Sequence, residues 1–79
     1  MKRIQLIWEF RGPDSAQTAE HHAKHLLEYV KDKNYDLRLA DFEVVNEEYA
    51  VATLVILEKD MIEFRDILKP QRAVYFEED

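Results

Sequence analysis

The sequence predicts an α+β domain in which two helices cover one face of a four-stranded antiparallel sheet. Three observations support this class: two segments repeat their apolar residues with helical spacing, four others alternate or run apolar like strands, and the six follow one another as β-α-β-β-α-β. The chain of 79 residues contains no repeat, linker or low-complexity segment. We therefore predict a single domain over residues 1–79.

The first strand and the start of the first helix have the clearest signals. From Arg3 to Arg11 apolar residues occupy every second position, which predicts a strand with one buried face. Gly12-Pro13 then interrupts the alternation. Asp14 and Gln17 have the spacing of a capping box, so a helix is expected to begin near Ser15.

The first helix is predicted to end near Asn34, a residue that tolerates the left-handed conformation. Its apolar stripe consists of Ala16, Ala19, Ala23, Leu26, Leu27 and Val30. A second strand is expected from Tyr35 to Val45. Its apolar residues occupy odd-numbered positions up to Leu39 and even-numbered positions from Phe42 onward. This change in the alternation predicts a β-bulge near Ala40-Asp41.

The rest of the chain predicts a hairpin, a short helix and a last strand. The run YAVATLVILE is apolar in both phases, as expected of a central strand, and pairs with the strand before it. Asp60 and Glu63 repeat the capping-box spacing, and Lys69-Pro70 ends the second helix. The segment RAVYF is the final strand.

This order of elements resembles the ferredoxin-like, or split βαβ, superfold. The handedness of βαβ crossovers then places the first and third strands side by side at the centre of the sheet. The stretch WEFRGPDSAQTAEHHAKHL also resembles short uncharacterised bacterial proteins of this build, a resemblance that implies no function.

Composition excludes several classes of function. The net charge of −6 repels phosphate backbones and anionic lipid headgroups, so we predict no nucleic-acid partner and no membrane partner. The absence of cysteine excludes a thiolate nucleophile and a cysteine-based zinc site. The residues after Met1 alternate instead of forming an apolar run, which predicts no signal peptide, no membrane span and a cytoplasmic location. No motif indicates a cofactor, and we predict none.

Three histidines fall within five residues of the first helix, and two of them have the spacing of a metal site. His21 and His25 lie opposite the apolar stripe and four residues apart, so two imidazoles can reach one metal ion. A third ligand is not evident, and the motif H-E-x-x-H is absent. A solvated face or an interface rich in histidine explains the same pattern.

His22 lies on the flank of the helix, where an imidazole can lean over the sheet edge or over the loop after the first strand. As a functional residue it is a general base or hydrogen-bond donor at a ligand cleft, joined by Arg11, Asp41 or Arg65. As a structural residue it packs at the boundary of the core. The functional interpretation requires His22 to converge with at least one of those three side chains.

The helix-free face of the sheet is predicted to be apolar, which favours a partner. The residues of the third strand form two alternating sets that point to opposite faces of the sheet, and both sets are apolar. Whichever set packs against the helices, the other leaves an apolar surface on the helix-free face. We therefore expect a homodimer through this face. The alternative is that charged side chains on the strands shield a few central aliphatic residues from water. The predicted surface consists of Ile7, Tyr49, Val51, Val55 and Leu57, or of the opposite phase, Ala50, Ala52, Leu54 and Ile56.

Two functional hypotheses follow from these features. The first is a non-enzymatic interaction or regulatory module that associates with itself through the sheet. The second is a small-molecule-binding protein or enzyme that resembles the dimeric α/β-barrel proteins, whose paired sheets enclose a pocket, with a cleft near His22 and Arg11. The sequence favours the first, because no catalytic set of residues converges. Metal binding by His21 and His25 is a minor third possibility.

Overall fold

The computed structural model describes residues 2–32 and 39–76, and confirms an α+β class with two helices and a four-stranded antiparallel sheet. The first and third strands are neighbours at the centre of the sheet, and the second and fourth strands form its edges. The elements are β1 (Arg3–Arg11), α1 (Ser15–Asp32), β2 (Leu39–Asn46), β3 (Tyr49–Leu57), a 3₁₀ turn (Glu58–Asp60), α2 (Met61–Leu68) and β4 (Arg72–Phe76).

The core lies between the two central strands and the helices. In the register of β1 and β3, Leu6 is paired with Leu54 and Trp8 with Ala52, so their side chains share one face. The buried cluster on that face contains Ile4, Leu6, Trp8, Ala23, Leu26, Val30, Ala52, Leu54, Ile56 and Phe64. Because Ala23 and Ala52 are both small, α1 can pack close to β3.

The turn between β1 and α1 is hydrogen-bonded to the turn between β2 and β3. Gly12 has φ of +108°, and its N–H donates a 2.8 Å hydrogen bond to the carbonyl of Glu48 in the β2–β3 turn. The carbonyl of Asp14 accepts the first helical hydrogen bond from the N–H of Thr18, and the Thr18 hydroxyl donates to the same oxygen. The helix therefore begins where the sequence predicts.

Substituting alanine at Gly12 is expected to destabilise the protein by about 1–3 kcal/mol, because L-residues rarely adopt this backbone conformation. An added Cβ would have no atom within 4 Å, so the cost is conformational rather than steric crowding. Urea unfolding measures it, with Glu28→Ala, an exposed position of α1 away from this junction, as the control. A cost below about 0.5 kcal/mol, the usual range of surface substitutions, would contradict this account.

Two local predictions were wrong. The register of β2 against β3 is regular from Leu39 to Val44 and shifts between Val44 and Asn46, so the irregularity lies at the end of the strand and not near Ala40-Asp41. The expected capping box of Asp60 and Glu63 is not formed, since Asp60 makes no side-chain cap hydrogen bond. The 3₁₀ turn before α2 explains this, because it holds Asp60 outside the extended conformation typical of a capping residue.

The predicted end of α1 near Asn34 and the first residues of the predicted second strand lie outside the described residues. The predicted end of α2 is confirmed, because Lys69 takes the left-handed conformation just before Pro70.

The second helix is short and is attached to the sheet at few points. Phe64 is its one buried residue and joins the core cluster. At its C-terminal end, the indole N–H of Trp8 donates a 2.9 Å hydrogen bond to the carbonyl of Leu68. The helix does not cover β4, whose Ala73 and Tyr75 remain exposed on the helix-bearing side of the sheet.

Candidate functional site

The imidazole of His22 lies against two aromatic rings of β1. Its centroid is 5.0 Å from that of Trp8 and 5.5 Å from that of Phe10, and both contacts are edge-to-face. The side chain is half-buried on the flank of α1, where its helical position predicts it. This packing matches the boundary interpretation of His22.

The surroundings of His22 disfavour its protonated form. Burial, and to a smaller extent electrostatic repulsion from nearby His25, holds the pKa of His22 below its ordinary value of 6.5. Its Nε2 atom is buried and has no hydrogen-bond partner among the described residues. A neutral imidazole with a free ring nitrogen could accept a proton, but catalysis also needs a second group within reach.

Each of the three residues predicted to join His22 makes a contact of its own with another group. Arg11 stacks over the ring of Tyr49, 4.5 Å from its centroid, and Arg65 contacts its neighbour Asp66 at 3.4 Å. Asp41 is on β2, where its carboxylate accepts a hydrogen bond from the N–H of the next residue. In the segments that the structure describes, none of the three forms a hydrogen bond or an edge-to-face contact with His22.

The predicted metal pair is close in space. His21 and His25 are exposed, and their ring centroids are 4.3 Å apart. Among residues 2–32 and 39–76, no group of three or more histidine, aspartate or glutamate side chains is arranged to hold a metal ion. The third ligand that a selective site requires is therefore not supplied by this part of the chain.

Protonation of His22 is expected to destabilise the protein at acidic pH. The unfolded histidine takes up its proton near pH 6.5, whereas the folded one does so only at lower pH. Between these values the unfolded state binds more protons, so stability decreases as the pH falls. Urea midpoints measured from about pH 8 to about pH 5 should therefore decrease less in His22→Phe than in the wild type.

The variant His22→Phe keeps an aromatic ring against Trp8 and Phe10, so its stability at pH 8 should equal or exceed that of the wild type. Leu27→Gln, an exposed change on the same helix that alters no titratable group, is the control and should follow the wild-type dependence of the midpoint on pH. An identical decrease in His22→Phe and the wild type would show that another group is responsible.

The helix-free face contains three of the residues predicted to form a self-association surface. Ile7, Val51 and Val55 do lie on it, but each is no more than 8% exposed. In the register each is flanked by neighbours on adjacent strands; Ile7, for example, lies between Thr53 and Arg72. The centre of the predicted patch is therefore already shielded within one chain. The exposed apolar side chains of the sheet lie on its two edge strands, Val44 and Val45 on β2 and Val74 and Tyr75 on β4.

A cleft of about 200 Å³ lies between α1 and β2. Its walls are Glu20, Ala23, Lys24 and Leu27 on α1 and Ala40, Asp41 and Phe42 on β2. Of these seven residues the sequence singled out only Asp41 as a site residue. The available signal was the pair of alanines, Ala23 and Ala40, whose small side chains leave room between helix and strand.

Comparison with family models, with curated proteins and with solved structures finds no match to this chain. The described helices include none that combines the length and the apolar character needed to cross a membrane.

Proposed function

We propose that the chain is a small interaction module that binds a second copy of itself through its sheet, at β4 and the border of the helix-free face beside it. The supporting observation is that β4 is an edge strand with four of its five residues exposed. An edge strand presents unpaired N–H and C=O groups, and natural proteins usually protect it with charge, proline or a covering element.

The apolar side chains of β4 favour pairing with a strand of another chain, because they do not protect this edge of the sheet as charged residues would. Val74 is 40% exposed on the helix-free side and Tyr75 is 62% exposed on the other. The Tyr75 hydroxyl donates a 2.8 Å hydrogen bond to a carboxylate oxygen of Glu58, and the Lys2 ammonium lies 5.5 Å from the ring centroid. These contacts position the ring while most of its surface remains in water.

The sequence of β4 is complementary to itself, which supports a second copy of the chain as the partner. In a twofold antiparallel pairing centred on Val74, Arg72 faces Phe76 and Ala73 faces Tyr75. The first pairing permits a cation–π contact, and the second places a small side chain opposite a large one. The two sheets would then form one sheet of eight strands.

The proposal extends to the fold, which we propose is the ferredoxin-like arrangement with both helices on one face. The strand order β2-β3-β1-β4 and the entry of Phe64 into the same cluster as Leu26 support it. The 3₁₀ turn at Glu58–Asp60 is an addition to the expected order of elements.

Solution mass tests the self-association. By light scattering from about 10 μM to about 1 mM, the wild type should reach twice the chain mass of 9.5 kDa as concentration rises. Val74→Lys should stay monomeric, because a lysine at this edge opposes strand pairing. Val44→Lys is the matched control, since Val44 is 49% exposed on the opposite edge strand, and it should dimerise like the wild type.

Circular dichroism checks that both variants remain folded. A wild type that is monomeric at every concentration would refute self-association. A dimer that survives Val74→Lys but not Val44→Lys would place the contact at β2 instead of β4.

A further inference from the structure

We propose that the edge strand β2 binds an extended peptide of another protein, in which an apolar residue lies between two basic ones. The peptide would extend the sheet as an additional strand beside β2. This is a recurring mode of recognition, in which main-chain hydrogen bonds give affinity and alternate side chains give specificity. Because β2 and β4 are opposite edges of the sheet, the proposal does not depend on the preceding one.

The main chain of β2 offers hydrogen-bonding groups at this edge. The carbonyl of Asp41 faces β3, because it accepts a 3.4 Å hydrogen bond from the hydroxyl of Thr53. Successive residues of a strand direct their main-chain groups to opposite sides, so the N–H and C=O of Phe42 point away from β3. The Phe42 N–H donates a 2.8 Å hydrogen bond to the carboxylate of Asp41. A peptide carbonyl would take the place of that carboxylate and release it to a basic side chain.

The side chains of β2 alternate between an acidic face and an apolar face. In the register with β3, Asp41 and Glu43 lie on the helix-free face beside Val51, and both are exposed. Phe42 is paired with Ala52 and lies on the helix-bearing face. Within the described part of the chain neither carboxylate forms an ion pair. A strand added here would therefore meet two carboxylates on one face and apolar surface on the other.

The cleft between α1 and β2 suits the apolar residue of the peptide. Leu27 of α1 and Phe42 of β2 line it together with two alanines. Leu27 is 42% exposed and Phe42 is partly buried, so both have apolar surface that a ligand can cover. In an antiparallel pair the residue directly opposite Phe42 points to the same face, which places its side chain at this cleft. The charged residues of the cleft, Glu20 and Lys24, have opposite signs and add no net charge.

The charges of β2 favour a basic peptide over a second copy of the chain. In a twofold antiparallel pairing of β2 centred on Phe42, Asp41 would face Glu43 of the second copy, and like charges in opposite positions are destabilising. Lysine or arginine opposite these two carboxylates would instead form two ion pairs. The net charge of −6 also attracts a basic partner.

The probe is the peptide acetyl-Thr-Val-Lys-Leu-Lys-Val-Thr-amide, whose leucine takes the position opposite Phe42. One control peptide has glutamate in place of both lysines, and another has serine in place of the leucine. In titrations of ¹⁵N-labelled protein followed by NMR, the probe should shift the amides of Phe42, Val44 and Leu27. Each control should bind at least about fivefold more weakly, because two cross-strand charge pairs are reversed in one and the apolar contact is lost in the other.

Two variants test the acidic face of β2. Asp41→Asn and Glu43→Gln should each weaken binding of the probe about twofold to fivefold, the usual effect of losing an exposed ion pair. Glu28→Gln is the matched control, since it removes the same charge from an exposed position of α1 outside the cleft, and it should leave binding unchanged. Unchanged amide positions in β1 and α2 show that each variant remains folded.

Four results would overturn the proposal. The first is equal binding of the lysine and glutamate peptides, and the second is a set of shifts centred on β4 instead of β2. The third is the absence of shifts with the probe at about 5 mM, where even weak millimolar binding is detected. The fourth is a wild-type dimer that is lost in Val44→Lys but not in Val74→Lys, because a second copy would then occupy β2.

Discussion

Replacing Phe64 with alanine is expected to destabilise the protein by about 3–5 kcal/mol, the usual cost of truncating a buried phenylalanine. Phe64 is 1% exposed and is the one buried residue of α2. A helix of eight residues is not stable by itself, so without this anchor it should detach from the sheet. A domain of this size has a total stability of roughly 4–12 kcal/mol, and the variant should therefore be marginal or unfolded.

The measurement is urea unfolding followed by the fluorescence of Trp8, the protein's single tryptophan. Trp8 is buried next to α2, so its emission should shift to longer wavelength when the helix detaches. Ile67→Ala is the control, since Ile67 belongs to the same helix but is 52% exposed, and it should change stability by about 0.5 kcal/mol or less. Equal effects of the two substitutions would mean that Phe64 does not anchor the helix.

Trp8→Ala is expected to have an effect of similar size, about 3–5 kcal/mol. The indole is buried, supports the ring of His22 from the sheet side and holds the last carbonyl of α2 by a hydrogen bond. Removing it opens a cavity beneath both helices.

Trp8→Phe separates these contributions. It keeps an aromatic ring in the core but leaves the carbonyl of Leu68 without its donor, so a cost of about 1–2 kcal/mol is expected. Both variants lack tryptophan, and circular dichroism must follow their unfolding. If Trp8→Phe unfolds at the same urea concentration as the wild type, the hydrogen bond does not stabilise α2.

The architecture was predictable where one periodicity dominates a segment. The alternation of β1 and the glycine and proline after it placed the strand and the start of α1 correctly, because both signals are local. The β-bulge was misplaced because its signal mixed residues of β2 with residues that precede the described strand. The capping box predicted at Asp60 does not form although Asp60 and Glu63 have the right spacing, because the 3₁₀ turn sets the backbone conformation of Asp60.

The candidate sites were less predictable, because they depend on distances between elements. The position of His22 on the flank of α1 follows from helical geometry, but only the structure shows that its partners are Trp8 and Phe10 rather than charged groups. Glu20 and Phe42, which line the same cleft, are 22 positions apart in the sequence and come together only when α1 packs on β2.

The placement of β1 at the centre of the sheet also determines when the protein can fold during synthesis. Arg3 pairs with Leu57 on one side and with Phe76 on the other, so both partners of the first strand are made long after it. At a synthesis rate of about 5–20 residues per second, roughly 3–15 s pass between the synthesis of β1 and that of β4, its second neighbour. Until β4 is made, one edge of β1 has no strand partner, and a nascent chain halted at that stage would be expected to recruit chaperones.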